Sequence, residues 1–142
     1  MIHGAPGTRM FQHVFFSAGT KEIDIVRGGE LSCASFVSAV LFHFHLLEDV
    51  HATVAGTVED MKRSGWKKIT RQRPGAVIRW AAVQYPDRVA HEHIGFAISA
   101  TQAISNSTSK KVPHQHHITY GTKKESSYRP LLEIWWHPKL GR

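Results

Sequence analysis

The feature that most constrains this chain is a glycine pair, Gly28-Gly29, followed by an apolar run at helical spacing. Phe36, Val37, Val40, Leu41, Phe44 and Leu47 recur at steps of one, three and four residues, the period of one helical face. Adjacent glycines mark a turn and Ser32 suits an N-cap, so the spacing predicts a helix from Cys33 to about Leu47. The only cysteine of the chain then falls in the first helical turn. Unpaired backbone N–H groups and the positive end of the helix dipole favour a thiolate there. The usual fate of a free cysteine is to be a small buried hydrophobe, so position alone does not make it a nucleophile.

Around this helix the chain reads as α+β. Residues 1–20, with Gly4, Pro6, Gly7 and Gly19 around Val14-Phe15-Phe16, form an arm with one short strand or turn. Glu22 to Val26 alternates charged and apolar residues, a brief strand. Val54, Val58 and Met61 predict a second helix over about Val50 to Arg63, with Gly65 as its stop. Trp66–Ile69, Ala76–Ala82, His93–Ser99, Gln102–Ser105, Gln115–Tyr120 and Pro130–Trp136 then read as extended segments. Turns at Arg71–Gly75 and Tyr85-Pro86-Asp87, and a polar loop over Asn106–Lys111, separate them. Two helices followed by short antiparallel strands is an α+β order, here one domain over residues 1–142 with its core at about 20–136. That length buries a core without staples.

A single cysteine excludes an internal disulfide and a multi-cysteine zinc site, and its free thiol suits a reducing compartment. No run approaches the ~18 apolar residues of a membrane span. Residues 1–16 lack the apolar stretch and small-residue cleavage site of a signal peptide, which leaves a cytoplasmic place or export by another route. The formal charge of +7, with eleven histidines besides, predicts attraction to polyanions, either nucleic acid or an anionic cell-wall polymer.

Cysteine hydrolysis needs a thiolate, an imidazole within hydrogen-bond reach, and a polar group that fixes the imidazole's tautomer. Cys33 at a helix start and His93 at a strand start supply the first two. Three patches carry a resemblance to a family. They are Gly28-Gly29 with Ser32-Cys33-Ala34-Ser35-Phe36-Val37, then Arg73-Pro74-Gly75-Ala76-Val77-Ile78-Arg79-Trp80, then His93-Ile94-Gly95-Phe96-Ala97-Ile98. In this order the chain resembles the NlpC-type cysteine peptidases of the papain-like superfamily, and the neighbouring CHAP amidases, over roughly residues 20–120.

The resemblance implies a papain-like fold with the cysteine helix packed on an antiparallel sheet. It also implies cleavage of an amide bond, with peptidoglycan peptide as the first substrate, and calls for neither cofactor nor metal. Cys33 is the implied nucleophile and His93 the base. The third position maps to the segment Ala103–Ser107, where Asn106 is the choice, Ser105 its neighbour and His117 a rival. The chain departs from the family at three points. Ser32 stands where an Asp commonly precedes the cysteine, Ala76 replaces the turn Asp, and no tyrosine lies near Ile25-Val26 to line an oxyanion site.

Two other constellations point elsewhere. His114 and His116 share a strand face suited to a metal ion, with His91 or His93 to complete the set, though the one local carboxylate, Glu92, would point to the opposite face from His93. A non-catalytic binding module of the same fold, or a histidine-rich metal protein, is the alternative. Lys62, Arg63, Trp66, Lys67, Lys68, Arg71, Arg73, Arg79 and Trp80 mix cations with aromatics as single-stranded nucleic-acid grooves do. The same residues also suit a solvated helix end with core tryptophans.

Overall fold

A computed structural model of the chain describes residues 1–84 and 89–141; the turn expected at Tyr85-Pro86-Asp87 lies outside the described residues. The architecture is α+β. Strands β1 (Phe15–Ala18) and β2 (Lys21–Asp24) form an antiparallel hairpin ahead of helices α1 (Cys33–His43) and α2 (Val54–Arg63). Then come β3 (Lys67–Lys68), β4 (Val77–Gln84), β5 (Ala90–Ala97), β6 (Gln102–Asn106), β7 (Pro113–His117) and β8 (Leu131–Trp136). These six make one antiparallel sheet in the order β3-β8-β4-β5-β6-β7. No helix among the described residues is long and apolar enough to cross a membrane.

Both helices are shorter than their apolar patterns. α1 stops at His43, where His45 turns into the left-handed region (φ 54°) and the Leu46 N–H bonds back to the Leu41 carbonyl. That reversal still buries Leu46 and Leu47 and leaves Phe44 exposed, so the stripe describes burial better than it describes helix length. α2 starts at Val54 because Thr53 caps it, its hydroxyl accepting from the Gly56 N–H at 3.0 Å.

Strand alternation divides the core between the two faces of the sheet. Phe36, Val37, Val40 and Leu41 of α1, with Val58 and Met61 of α2, pack on Val77, Ile94, Phe96, Ile104 and Trp135. The residues one step along, Ile78, Trp80, Ala97 and Ala103, form a second core with Ile118 on the far face. Trp80 is fully buried there, its indole N–H donating to the Ile118 carbonyl at 2.7 Å.

The helix-bearing face also consumes much of the basic cluster. Lys68 Nζ meets Glu133 at 2.5 Å, and Arg79 spans Glu133 at 3.0 Å and Glu92 at 2.6 Å. Lys62 pairs with Glu59, Arg63 approaches Glu48 at 3.6 Å, and Arg73 lies over the Trp136 ring. Trp66 and Trp80 are core residues rather than a stacking platform. Most cations of the basic-aromatic run are thus paired at the surface, and neither Trp66 nor Trp80 is exposed to stack a base.

Candidate active site

The cysteine helix is positioned from its N-terminal side by Asp24. Its carboxylate accepts from the N–H groups of Val14 (3.2 Å), Val26 (3.2 Å) and Gly28 (2.7 Å), and from His13 Nδ1 at 2.8 Å. Burial opposes ionisation, but these bonds outweigh it and hold the carboxyl down at about 2. Gly28 and Gly29 both have positive φ (64° and 99°), and a Cβ on Gly29 would lie 2.6 Å from the Lys111 carbonyl oxygen. The glycine pair therefore serves both a turn and a close approach of the β6–β7 loop. Ser32 occupies the N-cap position but caps nothing: its hydroxyl donates to the Phe11 carbonyl, tying the arm to the helix start.

Cys33 is half-buried in the first turn of α1. Burial pushes its thiol above the ordinary range, while the N–H groups of Ile94, Ala34 and Cys33 itself and the charge of Arg129 pull it down less strongly. A cleft of about 700 Å³ opens beside it, lined also by Leu31, Thr53, Glu92 and His93. Cys33 and His93 thus border one cleft, but among the described residues no hydrogen bond joins them. Alternation is the reason. Ile94, not His93, lies beneath α1, and the His93 ring belongs to the far face with Trp80.

On that face His93 enters a buried chain of polar groups. Its Nε2 lies 2.8 Å from Ser105 Oγ, which also meets His116 Nε2 at 2.7 Å and the Tyr120 hydroxyl at 2.8 Å. His116 Nδ1 lies 2.8 Å from the His117 carbonyl oxygen, which can only accept, so that nitrogen carries a proton. Burial pushes His116 down to about 4, so at neutral pH its Nε2 is an acceptor. Ser105 donates its single proton to that nitrogen, and therefore accepts from Tyr120 and from His93 Nε2–H. Burial, then the charge of Arg129, press His93 well below the usual histidine range and keep it neutral. The chain of donors thus fixes the tautomer: His93 is protonated at Nε2 and bears its lone pair at Nδ1.

The choice of Asn106 as the third residue is corrected by the strand register. Gly95 pairs with Ser105 and Phe96 with Ile104, so Ser105 stands diagonally beside His93 on the same face, while Asn106 points to the helix side. There the Asn106 amide donates to the Gly29 carbonyl at 2.7 Å and makes no hydrogen bond to His93. Gly95 is what lets Ser105 in: a Cβ on it would lie 2.6 Å from Ser105 Cβ and 2.7 Å from the Ile104 carbonyl oxygen. The rival His117 faces away, its Nδ1 engaged by Thr119.

His114 and His116 do share a face, with rings 5.4 Å apart. Yet both nitrogens of His116 and the Nε2 of His93 are already committed to hydrogen bonds. Among the described residues no group of three or more His, Cys, Asp and Glu side chains is arranged to hold a metal ion. The spacing signalled a shared face, and on it His116 meets the Ser105 hydroxyl. Tyr120 and Arg129 carried no signal in the sequence, each standing in an irregular segment between strands.

The depressed His116 has a consequence for stability. In the unfolded chain it takes up a proton near the usual histidine value of 6.5, in the folded protein only near 4. Between these values the unfolded state binds more protons, so stability is full above about pH 6.5 and falls as pH drops toward 4. The loss from this residue is expected to be about 3 kcal/mol, and His93 adds in the same direction. Urea titrations at pH 7 and pH 4.5 check it: the gap between the two should be clearly smaller in His116→Gln than in the parent.

Compared with known proteins, the chain matches no family model, no curated protein and no solved structure.

Proposed function

We propose that this chain is a cysteine hydrolase of amide bonds with a papain-like arrangement of its site, peptidoglycan peptide being the first substrate class. The observation that supports this most is the fixed tautomer of His93. Ser105 holds its Nε2–H, leaving Nδ1 as the basic nitrogen of a residue that borders the same cleft as Cys33 at a helix N-terminus. Both groups rest neutral, because burial disfavours the thiolate and the imidazolium alike. The reading is therefore general-base activation on substrate entry, and it requires that the His93 ring, which stands on the far face of β5, come within reach of Cys33 in the substrate complex.

In that mechanism Cys33 Sγ gives its proton to His93 Nδ1 and bonds to the substrate carbonyl carbon. Backbone N–H groups at the start of α1 receive the oxyanion, each such donor being worth roughly 3–4 kcal/mol. The C–N bond breaks as His93 passes its proton to the departing amine. Water then attacks the thioester, giving a proton to His93; the C–S bond breaks and the thiolate recovers the proton. Ser105 and His116 keep the ring's polarity through the cycle.

Purified peptidoglycan and its stem peptides, assayed for newly exposed amino groups, test the reading. The parent protein should release them, and Cys33→Ala should lower the rate by at least ~10³-fold with unchanged circular dichroism. Hydrolysis that persists in Cys33→Ala rejects the assignment. A second reading, a non-catalytic binding module of the same fold, draws support from the missing Cys33–His93 hydrogen bond and the raised thiol. It predicts that parent and Cys33→Ala bind the same peptides equally and that neither cuts.

A further inference from the structure

Arg129 is a buried cation with no counter-charge among the described residues. It is only 6 % exposed, and its partners are two backbone carbonyls: Nε donates to Ala81 O at 2.8 Å and Nη2 to His91 O at 2.7 Å. Among the described residues no carboxylate pairs with it, whereas Arg79 on the other face holds both Glu92 and Glu133. A guanidinium does not escape burial by losing its proton, as a lysine would. Two carbonyls leave unused the rest of its five donors, the fork that fits a carboxylate with two parallel bonds.

That fork borders a depression of about 330 Å³ lined by His93, Asn106, Thr108, Ser109, Tyr120 and Arg129, with no acidic side chain among them. His93 and Thr108 also border the cysteine cleft, so the two depressions adjoin at the base. Asn106, 2 % exposed, lines the same wall with an Oδ1 that accepts no hydrogen bond. A charged donor and an unpaired acceptor that line one depression match the two ends of a peptide terminus, its carboxylate and its last N–H.

We propose that Arg129 is the receptor for a free carboxylate, and that the substrates of this site are peptides or amides whose carboxylate lies close to the bond that is cut. The carboxylate subsite follows from Arg129 and its surroundings; only the cutting rests on the hydrolase reading. The bound anion also relieves the positive charge that disfavours protonation of His93, so it makes that ring a better base. A substrate without the carboxylate loses both the anchor and this assistance.

The test uses N-acetyl-trialanine and its C-terminal carboxamide, titrated by calorimetry into the Cys33→Ala protein so that nothing is turned over. The free acid should bind at least tenfold more tightly than the carboxamide, and Arg129→Gln should bring the acid down to the carboxamide's affinity. Equal binding of the two by protein that retains Arg129, or no binding of either at millimolar concentration, overturns the proposal. That comparison needs no Arg129 variant, so a folding defect in Arg129→Gln does not obscure it. Discrimination by Cys33→Ala protein combined with no cutting by the parent would remove the hydrolase reading and keep the subsite. Equal cutting of acid and carboxamide by the parent would do the reverse.

Discussion

Asp60→Ala is expected to lose about 3–5 kcal/mol of stability, a large share of what a domain of this size has. Asp60 is fully buried on α2, where its carboxylate gathers four partners. The Glu48 N–H lies 3.1 Å away, the Asp49 N–H 3.0 Å, His51 Nε2 2.7 Å and Ser64 Oγ 2.8 Å. Burial alone would raise its pKa, yet the bonds from His51, Glu48, Ser64 and Asp49 bring it to about 2. Removing the carboxylate strands those donors, each at about 1–3 kcal/mol if left unsatisfied. The effect reaches the site, because the segment that Asp60 pins runs into Ala52, Thr53 and Val54, one wall of the cysteine cleft. The sign with pH is that of a depressed acid: the contribution is complete above about pH 4 and is lost as pH falls from there toward 2. Urea unfolding of the variant and parent at pH 7 checks the first claim; a difference below 1 kcal/mol would show that water replaces the carboxylate without loss.

Ser105→Ala is expected to lower kcat on a cleaved peptide by ~10²–10⁴-fold with little change in KM. Among the described residues the hydroxyl is the one side chain that hydrogen-bonds the His93 ring, and without it the ring is free to adopt the tautomer with Nδ1–H, which cannot take the thiol proton. The same change leaves His93, His116 and the Tyr120 hydroxyl each short of a partner in a buried site, so stability falls too. Measuring kcat at a temperature well below the variant's own melting point separates the two effects. Unchanged kcat there would mean that the ring is oriented by something other than Ser105.

The legible part of this site was the part encoded by local pattern. The cysteine at the helix start, the glycine turn before it and the histidine on a strand each follow from residues adjacent in sequence, but β5 begins at Ala90, so His93 lies midway along its strand rather than at its head. The third residue was not legible because it depends on register. A choice between Ser105 and Asn106 is a choice of sheet face, and one step of pairing decides it. Arg129 left no trace because an isolated arginine before Pro130 looks like any solvated loop cation; only its burial sets it apart. The helix ends differ from the apolar stripe for the same kind of reason. Leu47 is buried by a reversal of the chain at His45 rather than by another turn of helix. The histidine-histidine spacing shows the shared face, whereas the hydroxyl hub on that face depends on Ser105 and Tyr120, which the spacing does not encode.

The division of the site between two stretches of chain bears on how the protein reaches its native state. Asp24, the glycine turn and Cys33 belong to one short stretch, and their mutual contacts close small loops. His93, Ser105, His116 and Tyr120 belong to another, the meander of β5, β6 and β7, also paired neighbour to neighbour. Contacts of small sequence separation form early and fast, whereas the packing of α1 on β5 joins residues about sixty positions apart and carries the larger loop-closure cost. The cleft between Cys33 and His93 is therefore a product of the last and slowest kind of contact in the chain, and neither stretch alone contains it.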